Sequence, residues 1–311
     1  MSRAGYRRIP ARDDILIAAL TLPLYMAAAG RYGLRIFLAL TISILVGTAT
    51  EMIAARIRNK GHRLVGLPAW ILLPLVLPPV FPLWMLGAST LFAAIVGVVF
   101  FGGYGRHIVS PVALGWSFAT LSYPQAFGFG WSLPFPGLAT GFSRYAAAVL
   151  TIDHPIVFLQ AQREVLLADI LSGNVPQTPG MAVAGLTAGC GLVLLLLRAV
   201  DVKSSLLFLG TAAGLGIASH LVMPETFGDP VFMLTGNLLL AGLFIFPDRR
   251  ICPRSAGARV TAAVLGGVIV FLIRSFSTFP CGVMFAVLFA NVFSPIIDQG
   301  FLRSKYGKAA R

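Results

Sequence analysis

Apolar stretches close to twenty residues long recur along the chain, at 14–30, 34–55, 67–86, 88–105, 108–124, 181–199, 204–223, 230–247, 258–274 and 280–298. About 20 such residues, wound as a helix, cross the hydrocarbon layer of a bilayer, and slightly fewer suffice when the ends are anchored. A chain built this way has little left for a water-facing surface. Of its 311 residues 57% are hydrophobic and only 11% charged, whereas a soluble domain carries about 25% charge. The expected fold is an all-α polytopic membrane protein of about ten transmembrane helices. The fifth stretch, "IVSPVALGWSFATLSYP", carries Pro111 early, where proline is tolerated only within a first helical turn.

Lysine and arginine concentrate in cytoplasmic loops and so report orientation. With the N-terminus inside, 19 of the 24 basic residues fall on the cytoplasmic side, leaving Arg31, Arg35, Arg144, Arg163 and Arg274 outside. This partition favours ten spans with both termini cytoplasmic and residues 125–180 outside. The start "RRIPARDDILIAALTLPLYMAAAG" looks like a cleavable signal, but removing it would spoil that parity, so it reads as a retained helix. The net charge of +13 is spread over membrane loops that attract anionic lipid, which argues against nucleic acid. Three cysteines and four histidines are scattered without ligand-type spacing, so no metal is expected within the chain.

The two halves share a pattern. "FFGGYGRHIVSPVALGWSFATLSYP" and "FLIRSFSTFPCGVMFAVLFANVFSP" each carry an arginine (Arg106, Arg274), a short linker, a proline (Pro111, Pro280) and a helix rich in small and aromatic residues. The first arginine would face in and the second out, as two inverted five-helix repeats require. The third stretch holds Pro68, Pro74, Pro78, Pro79 and Pro82, and its counterpart holds Thr235, Gly236 and Asn237 in mid-span. Such breaks free backbone groups that lipid cannot satisfy. They are either plain kinks or the lining of a site at the repeat interface, with Thr235 and Asn237 as candidate cofactor-binding residues.

The division expected is therefore residues 1–124 for the first repeat, 125–180 for an extracytoplasmic linker and 181–311 for the second repeat. Within the linker, "FLQAQREVLLADILSGNVPQTPG" reads as an amphipathic helix ended by Gly173-Asn174. Arg274 reads as the outer end of the ninth helix, its head at the interface. Glu51 is read as a headgroup-level neighbour of Arg56, and Asp248 as an offset to Arg249 and Arg250. No serine–histidine–acid set, phosphate loop or catalytic carboxylate pair is present.

"LIRSFSTFPCGVMFAVLFANVFSPIID" closely resembles the last two helices of RnfD, a subunit of Rnf electron-transport complexes homologous to NqrB of the sodium-pumping quinone reductase. "FFGGYGRHIVSPVALGWSFATLSYP", "LTGNLLLAGLFIFPD" and "ILSGNVP" look like further segments of that family in the same order. The resemblance implies an inverted-repeat fold, a flavin cofactor, and electron transfer across a bacterial inner membrane within a multisubunit complex that moves Na+ or H+. It also implies FMN joined through phosphate to the threonine of an Asp-x-x-Ser-Gly-Ala-Thr pattern. The matching place is "PFPGLATGF", which makes Thr140 the attachment candidate and keeps Ala139 beside it, while Pro134, Gly137 and Leu138 replace the rest. The family's asparagine-rich stretch after the fourth helix is likewise altered, to "GRHIVSP". Glu51 matches an acidic residue of the family.

A covalent flavin needs an accessible hydroxyl on a non-helical segment, and Thr140 lies between Gly137 and Gly141. Phe127, Phe129, Trp131, Phe135 and Phe142 could wall an isoalloxazine ring or form an interfacial belt. The expected cofactor is FMN at Thr140, with riboflavin as the other candidate flavin. The expected partners are the other subunits of such a complex and the bilayer; the chain would not be a stand-alone enzyme. A flavin-less paralogue, acting as a transporter, a channel or a scaffold for redox partners, is the alternative.

Overall fold

The computed structural model describes residues 11–58, 66–101, 108–145, 151–152, 167–223, 235–276 and 282–306. Arg106, Arg163, Pro280 and Cys281, which enter the reading of orientation, repeats and metal sites, lie outside the described residues. The described chain is mostly helical.

Five helices are long and apolar enough to cross a membrane: α1 (Ala11–Tyr32), α2 (Arg35–Ile57), α9 (Val202–Val222), α11 (Ala256–Phe276) and α12 (Val283–Tyr306). The others are shorter. They are α3 (Leu67–Val76), α4 (Leu83–Ala93, continued by a π turn over Ala94–Val99), α5 (Pro111–Ser122), α6 (Pro124–Phe129), α7 (Leu167–Ser172), α8 (Ala184–Leu196) and α10 (Leu238–Leu240, continued by a π turn over Ala241–Ile245). A two-residue ribbon pairs β1 (Trp131–Ser132) with β2 (Thr151–Ile152). The protein is a multi-pass membrane protein.

The stretch 67–86, read from hydropathy as one span, is divided. The helix stops at Val76, Leu77 turns extended, and the chain stays irregular through Phe81 before α4 begins at Leu83 rather than at 88. Pro78 and Pro79 cause this, since neither can donate to the carbonyl four residues back. Pro74 removes a donor too, and there the carbonyl of Trp70 is taken by the Ser43 hydroxyl at 2.8 Å. In α5 the expectation holds: Pro111 occupies the first turn and Ser110 caps it.

Packing joins the two halves around α1, which touches α2 and α3 on one side and α8 on the other, while α5 lies against α12. The core runs through Tyr25, Trp70, Leu73, Val76, Trp116, Met181, Leu194, Leu238 and Phe244, all nearly or wholly buried. Glu51 is buried within the protein. Its Oε1 accepts the Gly66 amide at 3.0 Å and the Trp70 indole N–H at 2.8 Å, so it ties α2 to the N-terminus of α3, where a negative charge suits the helix dipole.

At one end of the bundle, opposite Thr140, charged groups close the helix ends. Asp13 pairs with Arg249 at 3.4 Å, Asp14 with Arg250, and Asp201 with Arg259 at 2.8 Å. Asp201 also caps α9 through Ser204. Asp248 accepts the Arg250 backbone amide at 2.9 Å and is lifted to about 6, mainly by burial. The folded state therefore holds this proton more tightly than an unfolded chain, in which an aspartate titrates near 3.9. The stability it contributes is present below about pH 4 and is lost as pH rises through 6. Asp248→Asn should stabilise the fold by about 1 kcal/mol at pH 7.5, after allowing for a side chain still 22% exposed, and so raise the thermal midpoint above wild type there and not at pH 4. Thermal melts of both proteins at the two pH values check this; an equal difference at each would remove Asp248 as the cause.

Candidate functional site

Two places in the fold carry polar chemistry beyond helix capping, and the sequence singles out residues in both. The first is the turn bearing Thr140. Residues Thr140–Ser143 form a single 3-10 turn entered through Gly137, whose φ of +80 lies where side-chain-bearing residues are rare. Gly141 presses on the carbonyls of Ala29 and Gly30, and Gly30 in turn faces the Leu138 carbonyl. The turn is thus clamped onto the last turn of α1 with no side chain between the backbones. Thr140 and Ala139 are exposed. The Thr140 hydroxyl donates to the carbonyls of Pro136 at 2.7 Å and Gly137 at 3.0 Å.

Arginines surround this turn. Arg31 is 93% buried; it donates to Phe135 O at 3.1 Å, Ser172 O at 2.8 Å and Asn174 Oδ1 at 3.4 Å. Its own carbonyl accepts the Phe135 amide at 2.8 Å. The Arg144 guanidinium stands 4.9 Å from the centroid of the Phe135 ring. Leu34 and Arg35 donate backbone amides to Arg144 and Tyr145, and the Arg35 side chain reaches Phe81 O at 3.2 Å.

Of the aromatic residues expected to wall a ring, Phe135 is buried under Arg144 and Phe142 packs half-buried against Gly30. Phe127 and Trp131 turn inward. Phe127 stands edge-on to Trp116, Phe81 and Trp131 at centroid distances of 5.3, 6.3 and 6.1 Å. Phe129 is exposed. The structure thus leaves Phe135 and Phe142 beside Thr140 and puts Phe127 and Trp131 in the core.

The second place is where the interrupted helices meet. Asn237, just before α10, is fully buried; its Nδ2 donates to Val76 O, the last carbonyl of α3, at 3.0 Å, and its Oδ1 accepts from Thr178 at 2.6 Å. Arg274 donates to Thr235 O at 2.7 Å. It is half-buried and held to the chain, with a backbone carbonyl as a partner at the end of α11.

Sequence reasoning missed the third member of this junction. Residues 175–180, assigned to the extracytoplasmic linker, are buried throughout, as are Met181 and Ala182 after them. Gly173, with φ +78, ends α7, and the Asn174 amide returns to Asp169 O at 2.9 Å, a Schellman closure. From there the chain dives between the two breaks. The Gln177 amide donates to the Tyr32 hydroxyl, Thr187 donates to Gly180 O, and Gly180 sits between Leu75 and Leu240. The only hint in the sequence was polar Gln177-Thr178 between two prolines.

Residues 11–307 match the family described as NQR2, RnfD, RnfE. The chain belongs to that family. Within the NQR2, RnfD, RnfE family it is 32% identical to a protein of Stutzerimonas stutzeri named as the D-type subunit of an ion-translocating oxidoreductase complex, over 79% of this chain and 76% of that protein. It is 25% identical to the protein of the same name from Escherichia fergusonii, over 97% and 95% of the two chains. The Yersinia enterocolitica protein of that name is 28% identical, over 83% and 80%. The chain is accordingly a membrane subunit of the electron-transport type to which these relatives are assigned by name. Among the described residues no group of three or more His, Cys, Asp and Glu side chains comes together.

Proposed function

We propose that this chain is the flavin-carrying subunit of an Rnf-like complex, with FMN esterified to Thr140 on the outer side of a bacterial inner membrane. In this reading it has ten spans in two inverted repeats, both termini are cytoplasmic, and electrons cross the bilayer in step with Na+ or H+ movement. The observation that carries it is the Thr140 hydroxyl itself. It is exposed, on a single 3-10 turn fixed backbone-to-backbone on α1, at the place that the resemblance matches to the family's attachment threonine.

The residues present fit the group. An esterified phosphate would lie near the Arg144 guanidinium and no described carboxylate, and the half-buried Phe142 would offer apolar surface to a ring. When bound, the flavin would supply reversible electron acceptance, which protein side chains lack. The chain's part is positional: Gly30 and Gly141 fix the height of the turn above the membrane, and Gly137 sets its direction. Thr235 and Asn237, candidate flavin contacts in the sequence, are read instead as the joint between the two helix breaks.

A second reading, a transporter without flavin, draws on that same joint, since broken helices meeting inside the membrane also line substrate paths. Denaturing electrophoresis under ultraviolet light separates the two, because a phosphoester-linked flavin stays with the chain. From cells that supply the flavin transferase, wild type should fluoresce and Thr140→Ala should be dark. A dark wild-type band would refute covalent attachment, and a bright Thr140→Ala band would place it elsewhere. For orientation, single cysteines at Ser172 and Ser255 should label from opposite sides, Ser172 from outside.

A further inference from the structure

Two of the five arginines that the charge partition leaves outside, Arg31 and Arg144, converge on Phe135, the first on its carbonyl and the second on its ring. Arginine on the outer side runs against the usual bias, so its concentration at one place calls for a cause. Among the described residues, all four ion pairs lie at the opposite end of the bundle. Arg31 donates to two backbone carbonyls and one amide oxygen, and its Nε–H has no acceptor among the described residues. The nearest acidic link is indirect: Asn174, which accepts from Arg31, donates to Asp169 at 3.3 Å. Carbonyls satisfy a guanidinium's hydrogen bonds but leave its charge unbalanced, and a buried charge without a counter-charge is costly.

We infer that Arg144, backed by the buried Arg31, forms a seat for a phosphate diester beside Thr140. Arg31 holds the Phe135 carbonyl, Arg144 covers the Phe135 ring, and the Thr140 hydroxyl bonds the carbonyl of the next residue, Pro136. The two cations and the hydroxyl are thereby fixed around one dipeptide. Arg144 follows Thr140 by four residues and is exposed, so its free N–H groups can meet a phosphate in the forked geometry that guanidinium favours. Arg31 adds fixed positive potential from beneath, where screening by water is weak.

The assignment of that phosphate to a flavin rests on the function proposed above; a phospholipid headgroup offers the same chemistry, and the experiment separates the sources. The full-length chain, produced without the flavin transferase and held in nanodiscs, is titrated with FMN and with riboflavin, which differ only by the phosphate. FMN should bind about tenfold more tightly, as one charge-assisted contact warrants. Arg144→Gln should erase the difference, and Arg144→Lys should keep part of it.

Equal affinities for FMN and riboflavin in the wild type would overturn the flavin assignment of the seat. If neither flavin binds, thermal midpoints in phosphatidylglycerol and phosphatidylcholine nanodiscs are compared. A rise in the anionic lipid that Arg144→Gln abolishes would uphold the phosphate seat with lipid as its source. No rise, or one that persists in Arg144→Gln, would overturn the seat itself. A seat upheld by FMN titration alongside a dark wild-type gel would sink covalent attachment alone.

Discussion

Replacing Trp70 with alanine should cost the folded chain about 4 to 5 kcal/mol. Trp70 is fully buried, and emptying such a site typically costs about 3 to 5 kcal/mol. Its ring fills the gap that Gly47 and Gly66 leave between α2 and the start of α3, with ring carbons 2.6 Å from where a Gly66 side chain would begin. Neither glycine has a side chain that could relax into the void. The indole N–H also donates to Glu51 at 2.8 Å, and truncation removes that donor from a buried carboxylate, which adds a desolvation penalty. Trp70→Phe separates the two effects. It keeps most of the volume and drops the donor, so it should cost about 1.5 to 3 kcal/mol, the worth of a hydrogen bond to a charged group. Reversible unfolding in mixed micelles measures both. Equal losses in the two variants would mean that the Glu51 bond, not the packing, dominates.

The same tryptophan shows what the sequence conveys and what it withholds. The spans were legible because lipid imposes a length, and α1, α2, α9, α11 and α12 meet it with uninterrupted apolar runs. The division between α3 and α4 was harder to see. "LPPVFPLWM" is as apolar as the helices on either side, so hydropathy runs straight through a point where three prolines withdraw backbone donors. The role of Glu51 could not be read because its partners, Gly66 and Trp70, lie 15 and 19 residues away, at no spacing that a helix pattern signals. Arg274 was legible as a helix end but not as a ligand of Thr235 O, 39 residues earlier, since backbone carbonyls leave no signature in a sequence. Thr140 was found through resemblance alone. Composition supplied glycines and aromatics around it, but not which aromatics would turn inward.

The junction at Gly180 carries the second large effect. Hydrogen bonds across it run from Thr178 to Asn237 and from Asn237 to Val76 O, and Gly180 itself lies where a Cβ would stand 2.5 Å from Leu240 Cδ2 and 2.9 Å from Leu75 O. The leucine tip could move, but the carbonyl belongs to α3 and could not. Gly180→Leu should therefore force the segment out from between the breaks, costing at least about 3 kcal/mol of overpacking and stripping Asn237 of its Thr178 donor. Asn237→Leu tests the polar half alone. It leaves the Val76 carbonyl and the Thr178 hydroxyl without this partner in a dry interior, at about 1 to 3 kcal/mol for each unsatisfied group, though hydrogen bonds between membrane helices often measure nearer 1 kcal/mol. The expected order of stability is wild type, then Asn237→Leu, then Gly180→Leu. If Gly180→Leu retained wild-type stability, the segment 175–182 would not be wedged between the two helix breaks, and the junction would lose its part in holding the halves together.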